Sequence, residues 1–493
     1  MIPAIEVDFA SLNIQTLAPM LVAIVGALAI LCIDLANKSL DKSLYIILTV
    51  LFLLVDLGMV FGYNGAVRGF FDIMMVDGIS VLAQVTVLVL SVAFVLLAFS
   101  KQKLQEYRYP EYFALYLFAV AGFQFMVSSD SLIMIFVGLE TSSMAIYTMV
   151  AMHNRMKTIE AAIKYFTMGA LATGFFAFGA MIFYAITGTV ELGKVSEILV
   201  SSEFNNYGLV LLGVTFMIGA LGFKLSLVPF HSWVPDVYEG STAALAGFMS
   251  IVPKLAGFVV AIRFFEIFVA SDNAWVTAIL YGTVVLTMTI PNVIALLQTD
   301  IKRMLAYSSI SNSGFAMGAI LIGTTQATTG LFLYWILFFI TNLGGLAMLW
   351  MNRNKDYHTF NSDHDLEKYA GLIKTSPITA CIMGLFLLSL AGIPPFAMFW
   401  GKMYLLGAAV NAGYIVLAII MALNAAISAF YYLRPIVYMF LKDNEHEGIK
   451  HMANATPIIK VVVGACAIVA TISIFMIEPL ISIISYYIQI SGF

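Results

Sequence analysis

The chain has 493 residues, 61% of them hydrophobic and only 11% charged, and its formal net charge is −4 at pH 7. A soluble domain of this length does not have such a composition, so the sequence predicts a polytopic helical membrane protein with the lipid bilayer as its surroundings. The small net charge gives no sign of a nucleic-acid partner, and we expect none.

Apolar runs long enough to cross a bilayer occur fourteen times along the chain. Their approximate limits are Leu17–Ala36, Leu44–Phe61, Ile79–Phe99, Glu111–Val127, Ser131–Met152, Ala161–Thr187, Gly208–Leu227, Thr242–Phe268, Ala274–Leu297, Arg303–Ile322, Gly330–Met351, Ser376–Gly413, Tyr414–Leu441 and Val461–Tyr487. Two of these runs are interrupted by proline, the seventh near its end at Pro229 and the twelfth at Gly392-Ile-Pro-Pro395. Because proline has no backbone N–H, we predict an all-α protein of about fourteen transmembrane helices in which helices 7 and 12 are broken.

The two predicted breaks are five helices apart, one in helices 4–8 and the other in helices 9–13. Because five is odd, two such units must have opposite orientations in the membrane. This is the inverted-repeat arrangement of many transporters, which place broken helices near the midplane. We therefore divide the chain into an N-terminal three-helix segment (1–110), a first repeat (111–270), a second repeat (271–442) and a C-terminal helix (443–493).

The lysine and arginine residues predict the orientation. Sixteen of the 24 lie in the connections of one side of the membrane. Three lie on the other side, namely Arg68, Lys194 and Arg263, and five lie within spans. Because positive residues accumulate on the cytoplasmic side, we expect a multi-pass protein with both termini on the outer side of the membrane.

A small set of ionisable residues lies inside the apolar runs or at their breaks, namely Glu140, Lys164, Lys224, His231, Lys254 and Lys402. A lysine within hydrocarbon costs at least about 2.5–3.5 kcal/mol, so these residues predict a hydrated path through the protein. Lysine, unlike arginine, readily gives up its proton. A carboxylate at Glu140 keeps a nearby Lys224 charged, and its withdrawal favours proton release towards Lys254 and then Lys402. The alternatives are lysines that extend to the interface, or static buried ion pairs.

Three further charged residues lie in the apolar runs. Asp34 and Arg434 are near helix ends, where an interfacial position is expected, and the sequence assigns no place to Asp56. The cysteines Cys32, Cys381 and Cys466 are far apart, and His231 alone among six histidines lies at a helix break. We therefore expect no disulfide, no metal site and no cofactor bound by this chain.

Several motifs in these regions carry a resemblance to a known family. They are Pro229-Phe-His-x-Trp-x-Pro-Asp-x-Tyr238, the pair Pro253-Lys254, Glu140 in the fifth span, and Asp300-x-Lys302-Arg303-x-x-Ala-Tyr-Ser-Ser309 at the start of the tenth. Over nearly the whole chain the sequence resembles the antiporter-like membrane subunits of respiratory complex I and their Mrp-type antiporter relatives. Complex I has three such subunits in bacteria, called L, M and N. The M type usually has glutamate in place of Lys402 and the L type has a long C-terminal extension, so the resemblance favours the third type.

The resemblance implies a function and a set of partners. It makes Glu140, Lys224, Lys254 and Lys402 the proton-transfer residues, with Lys164 and His231 auxiliary. It implies a proton-translocating, redox-inert subunit of NADH–quinone oxidoreductase, next to the M-type subunit and small membrane subunits. NADH, FMN, iron–sulfur clusters and quinone then belong to partner subunits. The alternatives are an Mrp-type cation/proton antiporter subunit and a membrane electron carrier, and the latter requires cofactor ligands that this sequence lacks.

Overall fold

The computed structural model shows the chain as a bundle of long helices. It describes residues 12–38, 40–63, 65–100, 106–153, 155–204, 207–271, 273–352, 364–443 and 454–491. In these residues the α-helices are α1 (Ala18–Ala36), α2 (Lys42–Val60), α3 (Gly78–Leu96), α4 (Pro110–Val127), α5 (Leu132–Ala151), α6 (Met156–Thr187), α7 (Leu192–Ser201), α8 (Tyr207–Leu225), α9 (Trp233–Gly240), α10 (Ala243–Val269), α11 (Ala274–Leu296), α12 (Ile301–Ile322), α13 (Thr325–Met351), α14 (Leu372–Thr375), α15 (Pro377–Ala391), α16 (Ala397–Asn411), α17 (Ile415–Leu441) and α18 (Pro457–Ile490).

The predicted number of spans is confirmed. Thirteen helices in the described part of the chain are long and apolar enough to cross a membrane. The shorter apolar helix α15, together with α16, accounts for the fourteenth, which is the predicted twelfth run. Single turns of 3₁₀ helix also occur, at Ile14–Leu17, Glu106–Arg108 and Leu366–Tyr369.

Both predicted helix breaks are present. Helix α8 ends at Leu225 and the short α9 begins at Trp233, with a cis Val228–Pro229 peptide bond between them. Helix α15 ends at Ala391 and is capped by Gly392, whose φ of 82° is in the left-handed region that glycine adopts without steric cost. The peptide bond Pro394–Pro395 is also cis, and α16 starts just beyond it. Proline therefore interrupts the chain at corresponding places in the two units. In contrast, α10 continues through Pro253.

The two five-helix units have the same packing arrangement. In the first unit α4 packs on α5, α6 on α8, and α10 against α4 and α8. In the second unit α11 packs on α12, α13 on α16, and α17 against α11 and α16. This equivalence agrees with the predicted inverted repeats. The boundaries that we assigned to the repeats from the sequence remain a prediction.

Two small elements were not predicted. An antiparallel hairpin, β1 (Val67–Gly69) and β2 (Met74–Val76), lies between α2 and α3, and its strands are too short to show an alternating pattern. The amphipathic helix α7 buries Leu192, Val195 and Leu199, which are spaced for one helix face. Helix α7 has ten residues, so it is too short to be recognised as a run of membrane-spanning length.

The interior is centred on α10 and α12. Every residue of α10 is buried except Glu266 and Val269, and α12 is buried along almost its whole length. Arg263 was counted among the outer connections, but this assignment was wrong. The residue lies inside α10, is 6% exposed and pairs with Asp77. Other positively charged connection residues, at 101–105, 353–363 and 444–453, lie outside the described residues.

Candidate functional site

Lys224 occupies the last turn of α8, immediately before the first break. It is 4% exposed, and its Nζ donates to Ser142 Oγ (3.2 Å) and Ser143 Oγ (3.1 Å) of α5. The Phe123 ring lies 5.3 Å from the same nitrogen, so a cation–π contact adds to the two hydrogen bonds. On its other side the lysine stem contacts α10, because a Cβ placed at Gly257 is 3.5 Å from Lys224 Cγ.

Glu140 lies on α5 close to the groups that hold Lys224. It precedes Ser142 and Ser143 by two and three residues, and its Oε1 accepts a short hydrogen bond from Thr173 of α6. Among the described residues Glu140 and Lys224 do not approach to the 4.0 Å of a salt bridge. The expected direct contact between these two residues is therefore replaced by an arrangement in which hydroxyl groups bind the lysine beside the carboxylate.

Lys254 is the most deeply buried lysine of the group, with 1% exposure near the middle of α10. Its Nζ donates to the Ser309 carbonyl (2.9 Å), Ser309 Oγ (2.8 Å) and Ser313 Oγ (3.0 Å) of α12. All three partners lie on a neighbouring helix that belongs to the second unit. In the described chain no carboxylate lies within 4.0 Å of Lys254 Nζ.

Lys402 lies on α16, after the second break. It is 4% exposed, and its Nζ donates to the carbonyls of Leu390 and Ala391, each at 3.1 Å, and to Ser428 Oγ at 3.3 Å. The two carbonyls end α15, where the helix dipole is negative and favours a cation. Gly392 allows this approach, because a Cβ at that position would lie 2.9 Å from Lys402 Cδ.

A line of polar side chains lies between Lys254 and Lys402. Ser308 precedes Ser309 on α12, and its hydroxyl is hydrogen-bonded to the Tyr432 hydroxyl of α17. One turn before Tyr432 on α17 is Ser428, which binds Lys402. On α12, Ser309 thus binds Lys254, and the preceding Ser308 contacts the helix that binds Lys402.

The three lysines share one chemical property. Each ammonium is buried and is held by hydroxyl or main-chain carbonyl groups. Because these partners are neutral, no salt bridge has to be broken when an ammonium releases its proton. Serine and tyrosine hydroxyls both donate and accept hydrogen bonds, so they are suitable neighbours for proton transfer.

The two residues predicted to be auxiliary lie apart from the buried lysines. Lys164 is 44% exposed and pairs with Glu160 (2.8 Å) and with Asp236 of α9 (2.9 Å). Its neighbour in this cluster, Arg303, pairs with Asp236 and Glu239. Lys164 therefore anchors the half-helix α9 at the bundle surface. His231 lies in the break itself, partly buried, and its carbonyl accepts from Val234 N.

The residues near the ends of the apolar runs have structural partners. Asp34 accepts from the Tyr45 hydroxyl at 2.7 Å. Arg434 donates to the carbonyls of Leu296 (3.2 Å) and Gln298 (3.1 Å), where α11 ends. These contacts agree with the expected positions near helix ends. Asp56, which the sequence left unassigned, is fully buried in α2.

The prediction missed the hydroxyl groups that receive the lysines, namely Ser142, Ser143, Ser309, Ser313 and Ser428 together with Tyr432. The only available signal was the density of serine in the tenth span, at 308, 309, 311 and 313. In the described residues no group of three or more His, Cys, Asp or Glu side chains is arranged to hold a metal ion.

Comparison with known proteins gives consistent results. The family model described as NADH:quinone oxidoreductase/Mrp antiporter, transmembrane, matches residues 129–428. NADH-quinone oxidoreductase subunit N of Sulfurimonas denitrificans is 54% identical, and the match covers 100% of both chains. The protein of the same name from Helicobacter hepaticus is 46% identical, with 97% of each chain covered.

Solved structures with the same fold come from multi-subunit membrane complexes. A chain of respiratory complex I from Thermus thermophilus with bound Aureothin is 28% identical, with a TM-score of 0.79, and the match covers 95% of this chain and 98% of that one. A chain of the Mrp complex from Dietzia sp. is 18% identical, with a TM-score of 0.80 and 97% of each chain covered. At that identity the second comparison shows a shared fold alone.

Proposed function

The chain belongs to the NADH:quinone oxidoreductase/Mrp antiporter family of membrane proteins, and from that premise we propose that it is a proton-translocating membrane subunit of an NADH–quinone oxidoreductase, respiratory complex I. Relatives that carry this enzyme's name match the whole chain at up to 54% identity. The enzyme transfers electrons in other subunits, so this chain contributes to the reaction by moving protons.

The observation that carries the proposal is the row of three buried lysines with neutral partners. Lys224 lies in the first unit, Lys254 bridges to α12 of the second unit, and Lys402 closes the row at the second break. Glu140 supplies the negative charge at the start of the row. Moving one charge through 100 mV takes roughly 2.3 kcal/mol. A change in the surroundings of one buried ion alters its free energy of ionisation by a comparable amount.

The transfer is proposed to run from Lys224 through Lys254 to Lys402. Withdrawal of the Glu140 charge destabilises the ammonium at Lys224, which passes a proton towards Lys254. From Lys254 the proton moves past Ser309 and Ser308 to Tyr432 and Ser428, and so to Lys402. Lys164 and His231 take auxiliary roles in this proposal, by fixing the half-helix α9 and the break before it.

The partners follow from the same premise. We place the chain in the bacterial inner membrane beside the M-type subunit and small membrane subunits, with both termini on the periplasmic side. NADH, FMN, iron–sulfur clusters and quinone are assigned to partner subunits. The repeat boundaries at 111–270 and 271–442, with the flanking segments 1–110 and 443–493, belong to this proposal too.

Purification of the tagged chain from its native membrane tests the assignment. We expect it to isolate with subunits that contain flavin and iron–sulfur clusters and to show NADH–quinone reductase activity. The second candidate is an Mrp-type cation/proton antiporter subunit, a class of protein that shares this fold. Isolation with antiporter subunits alone, together with Na⁺/H⁺ exchange in vesicles, would contradict our proposal and support that candidate.

A further inference from the structure

Asp56 is a buried acid that the row of lysines does not include. It lies in α2, four residues before the end of that helix, and it is 0% exposed. Its Oδ1 accepts from Gln124 Nε2 of α4 at 2.9 Å. Its other oxygen, Oδ2, is buried and has no hydrogen-bond partner among the described residues, and the same is true of Gln124 Oε1. Asp56 and Gln124, which are hydrogen-bonded to each other, thus each have one acceptor oxygen without a donor.

The surrounding helices supply no cation to Asp56. The titratable residues on α1 to α4, other than Asp56, are Cys32, Asp34, Lys42, Tyr45, Glu111, Tyr112 and Tyr116. Lys42, their one cation, is fourteen residues from Asp56 along α2, or about 21 Å at the rise of an α-helix. Tyr63, just beyond α2, is the remaining titratable neighbour, and its hydroxyl donates to the Gln15 carbonyl.

The cations beyond this end of the bundle already have partners. Arg263 pairs with Asp77 at 2.8 Å, and Arg68 pairs with Asp130 at 2.8 Å. Burial lowers the pKa of Arg68, but the hydrogen bond and charge of Asp130 outweigh that effect, so its pKa lies above the ordinary value. Lys194 pairs with Glu191 at 2.9 Å. An ionised Asp56 would therefore be an uncompensated buried charge, which proteins avoid by neutralisation.

We propose that Asp56 is a proton-binding site separate from the row of lysines. The neutral acid donates from Oδ2 to Gln124 Oε1, while Gln124 Nε2 donates to Oδ1, so that acid and amide form a closed pair. One proton converts an unpartnered acceptor into a donor and satisfies both orphaned oxygens at once. A sodium ion needs more oxygen ligands than the two that lack a donor here, so the ligand is the proton.

A polar route connects this site with one end of the bundle. Gln124 Nε2 also approaches Gln84 Oε1 of α3 at 3.5 Å, and Gln84 Nε2 donates to Ser128 Oγ at 2.6 Å. The Ser128 carbonyl accepts from Met75 N of the hairpin. Met75, Arg68, Asp77 and Asp130 line a cavity of about 580 Å³. Ser128, Gln84 and Gln124 thus give Asp56 a polar connection to this cavity that includes no lysine.

Infrared spectroscopy of the chain in its native assembly tests the protonation of Asp56. A protonated carboxyl group absorbs above the amide I band, where ionised carboxylates do not. At pH 7 we expect the wild type minus Asp56→Asn spectrum to contain one such band. Asp34→Asn is the matched control, because Asp34 is partly buried and accepts a hydrogen bond from Tyr45, and this variant should keep the Asp56 band. Absence of the band from the Asp56→Asn difference would overturn the proposal.

Further variants test the pairing, the route and the ligand. Gln124→Leu keeps Asp56 and should move the band to higher frequency, so this variant stays informative if Asp56→Asn fails to fold. An unshifted band would contradict the acid–amide pair. Gln84→Leu should slow deuterium exchange of the band, and an unchanged rate would contradict the route. A band that appears only when sodium is replaced by choline would show a cation site and overturn the proposal.

Discussion

The two broken helices are stabilised in different ways, although they occupy equivalent places in the inverted units. At the first break Lys224 precedes the interruption and binds serine hydroxyls of α5. The half-helix α9 beyond this break is fixed by other residues, with Lys164 and Arg303 paired to Asp236. Lys302 also donates to the carbonyls of Glu239 and Ser241, where α9 ends.

At the second break the lysine of the row performs this stabilisation itself. Lys402 donates to the last carbonyls of α15, so its charge is placed at the negative end of a helix. A change of protonation therefore has different consequences at the two breaks. Release of a proton from Lys224 leaves the first break anchored, while release from Lys402 weakens the contact that holds α15 against α16.

The largest effect is expected from a substitution that removes the lysine contact between α10 of the first unit and α12 of the second. Lys254→Met eliminates the ammonium that binds Ser309 and Ser313, so proton transfer across the interface should fall by roughly 10²-fold, the typical contribution of a group that transfers protons. NADH-driven proton uptake into vesicles that contain the assembled enzyme measures this loss. Lys194→Met, on the surface of α7, is the control and should retain pumping. Normal pumping by Lys254→Met would show that Lys254 does not take part in the proton transfer.

The next prediction separates the charge of Lys402 from its proton. Lys402→Arg keeps a cation at the end of α15, but arginine does not readily release a proton. We expect pumping to fall nearly as far as in Lys402→Met. Thermal unfolding should show that only Lys402→Met loses the helix-end contact, worth about 1 kcal/mol. Full pumping by Lys402→Arg would make Lys402 a purely structural cation.

Lys224→Arg and Lys224→Met complete this comparison at the first break. Both should lose pumping, because neither side chain exchanges a proton as lysine does. Their thermal stabilities should differ less than those of the two Lys402 variants, because serine hydroxyls rather than a helix end receive Lys224. An equal difference at both sites would show that the two breaks do not differ as we describe.

Glu140→Ala removes the negative charge beside Lys224 in the first unit. We expect assembly to persist, because the carboxylate has one described side-chain partner, Thr173. Coupled quinone reduction and pumping should both fall by about tenfold, equivalent to 1.4 kcal/mol. Thr173→Val is a milder companion variant that removes the hydrogen bond and keeps the charge. If Glu140→Ala turns over and pumps at the wild-type rate, Glu140 has no role in the proton transfer.

A smaller effect is expected for the hydroxyl between the lysines of the second unit. Tyr432→Phe removes the group that binds Ser308, so the rate of pumping should fall several-fold while the packing is preserved. Tyr116→Phe is a matched control, because the Tyr116 hydroxyl is also buried but donates to the Ser91 carbonyl of α3, apart from Ser308 and Tyr432. Equal rates in the two variants would contradict the route along α17.

The smallest effect is expected at the surface of the first unit. Lys164→Gln breaks two ion pairs that are partly exposed to solvent. Such pairs contribute at most about 1 kcal/mol, so thermal stability should change little. Pumping should fall by less than about twofold, because Arg303 still holds α9. A loss comparable with that of Lys254→Met would place Lys164 in the proton path itself.

The number of spans, the two breaks and the list of buried charges could be predicted from the order of the amino acids. Hydrocarbon requires long apolar runs, and the prolines of the two breaks stand where one run stops and where the other is too long for a single helix, so both features are visible without contacts. Proline alone does not mark a break, because α10 continues through Pro253. The cost of burying charge also singles out Lys224, Lys254 and Lys402. The β-hairpin and α7 were not predicted, because they are too short to give a periodic pattern of apolar residues.

The contacts of each charged residue depend on how the helices pack. Ser309 and Ser313 are 55 and 59 residues from Lys254, and the density of serine in the tenth span does not say that they bind this lysine, because serine within a helix often bonds its own backbone. The same holds for the pairing of Asp56 with Gln124, 68 residues away. The packing of the helices also distinguishes Lys164, which is ion-paired near the surface, from the buried lysines. Local chemistry fixes which residues are costly to bury, whereas helix packing selects the neighbours that make each burial tolerable.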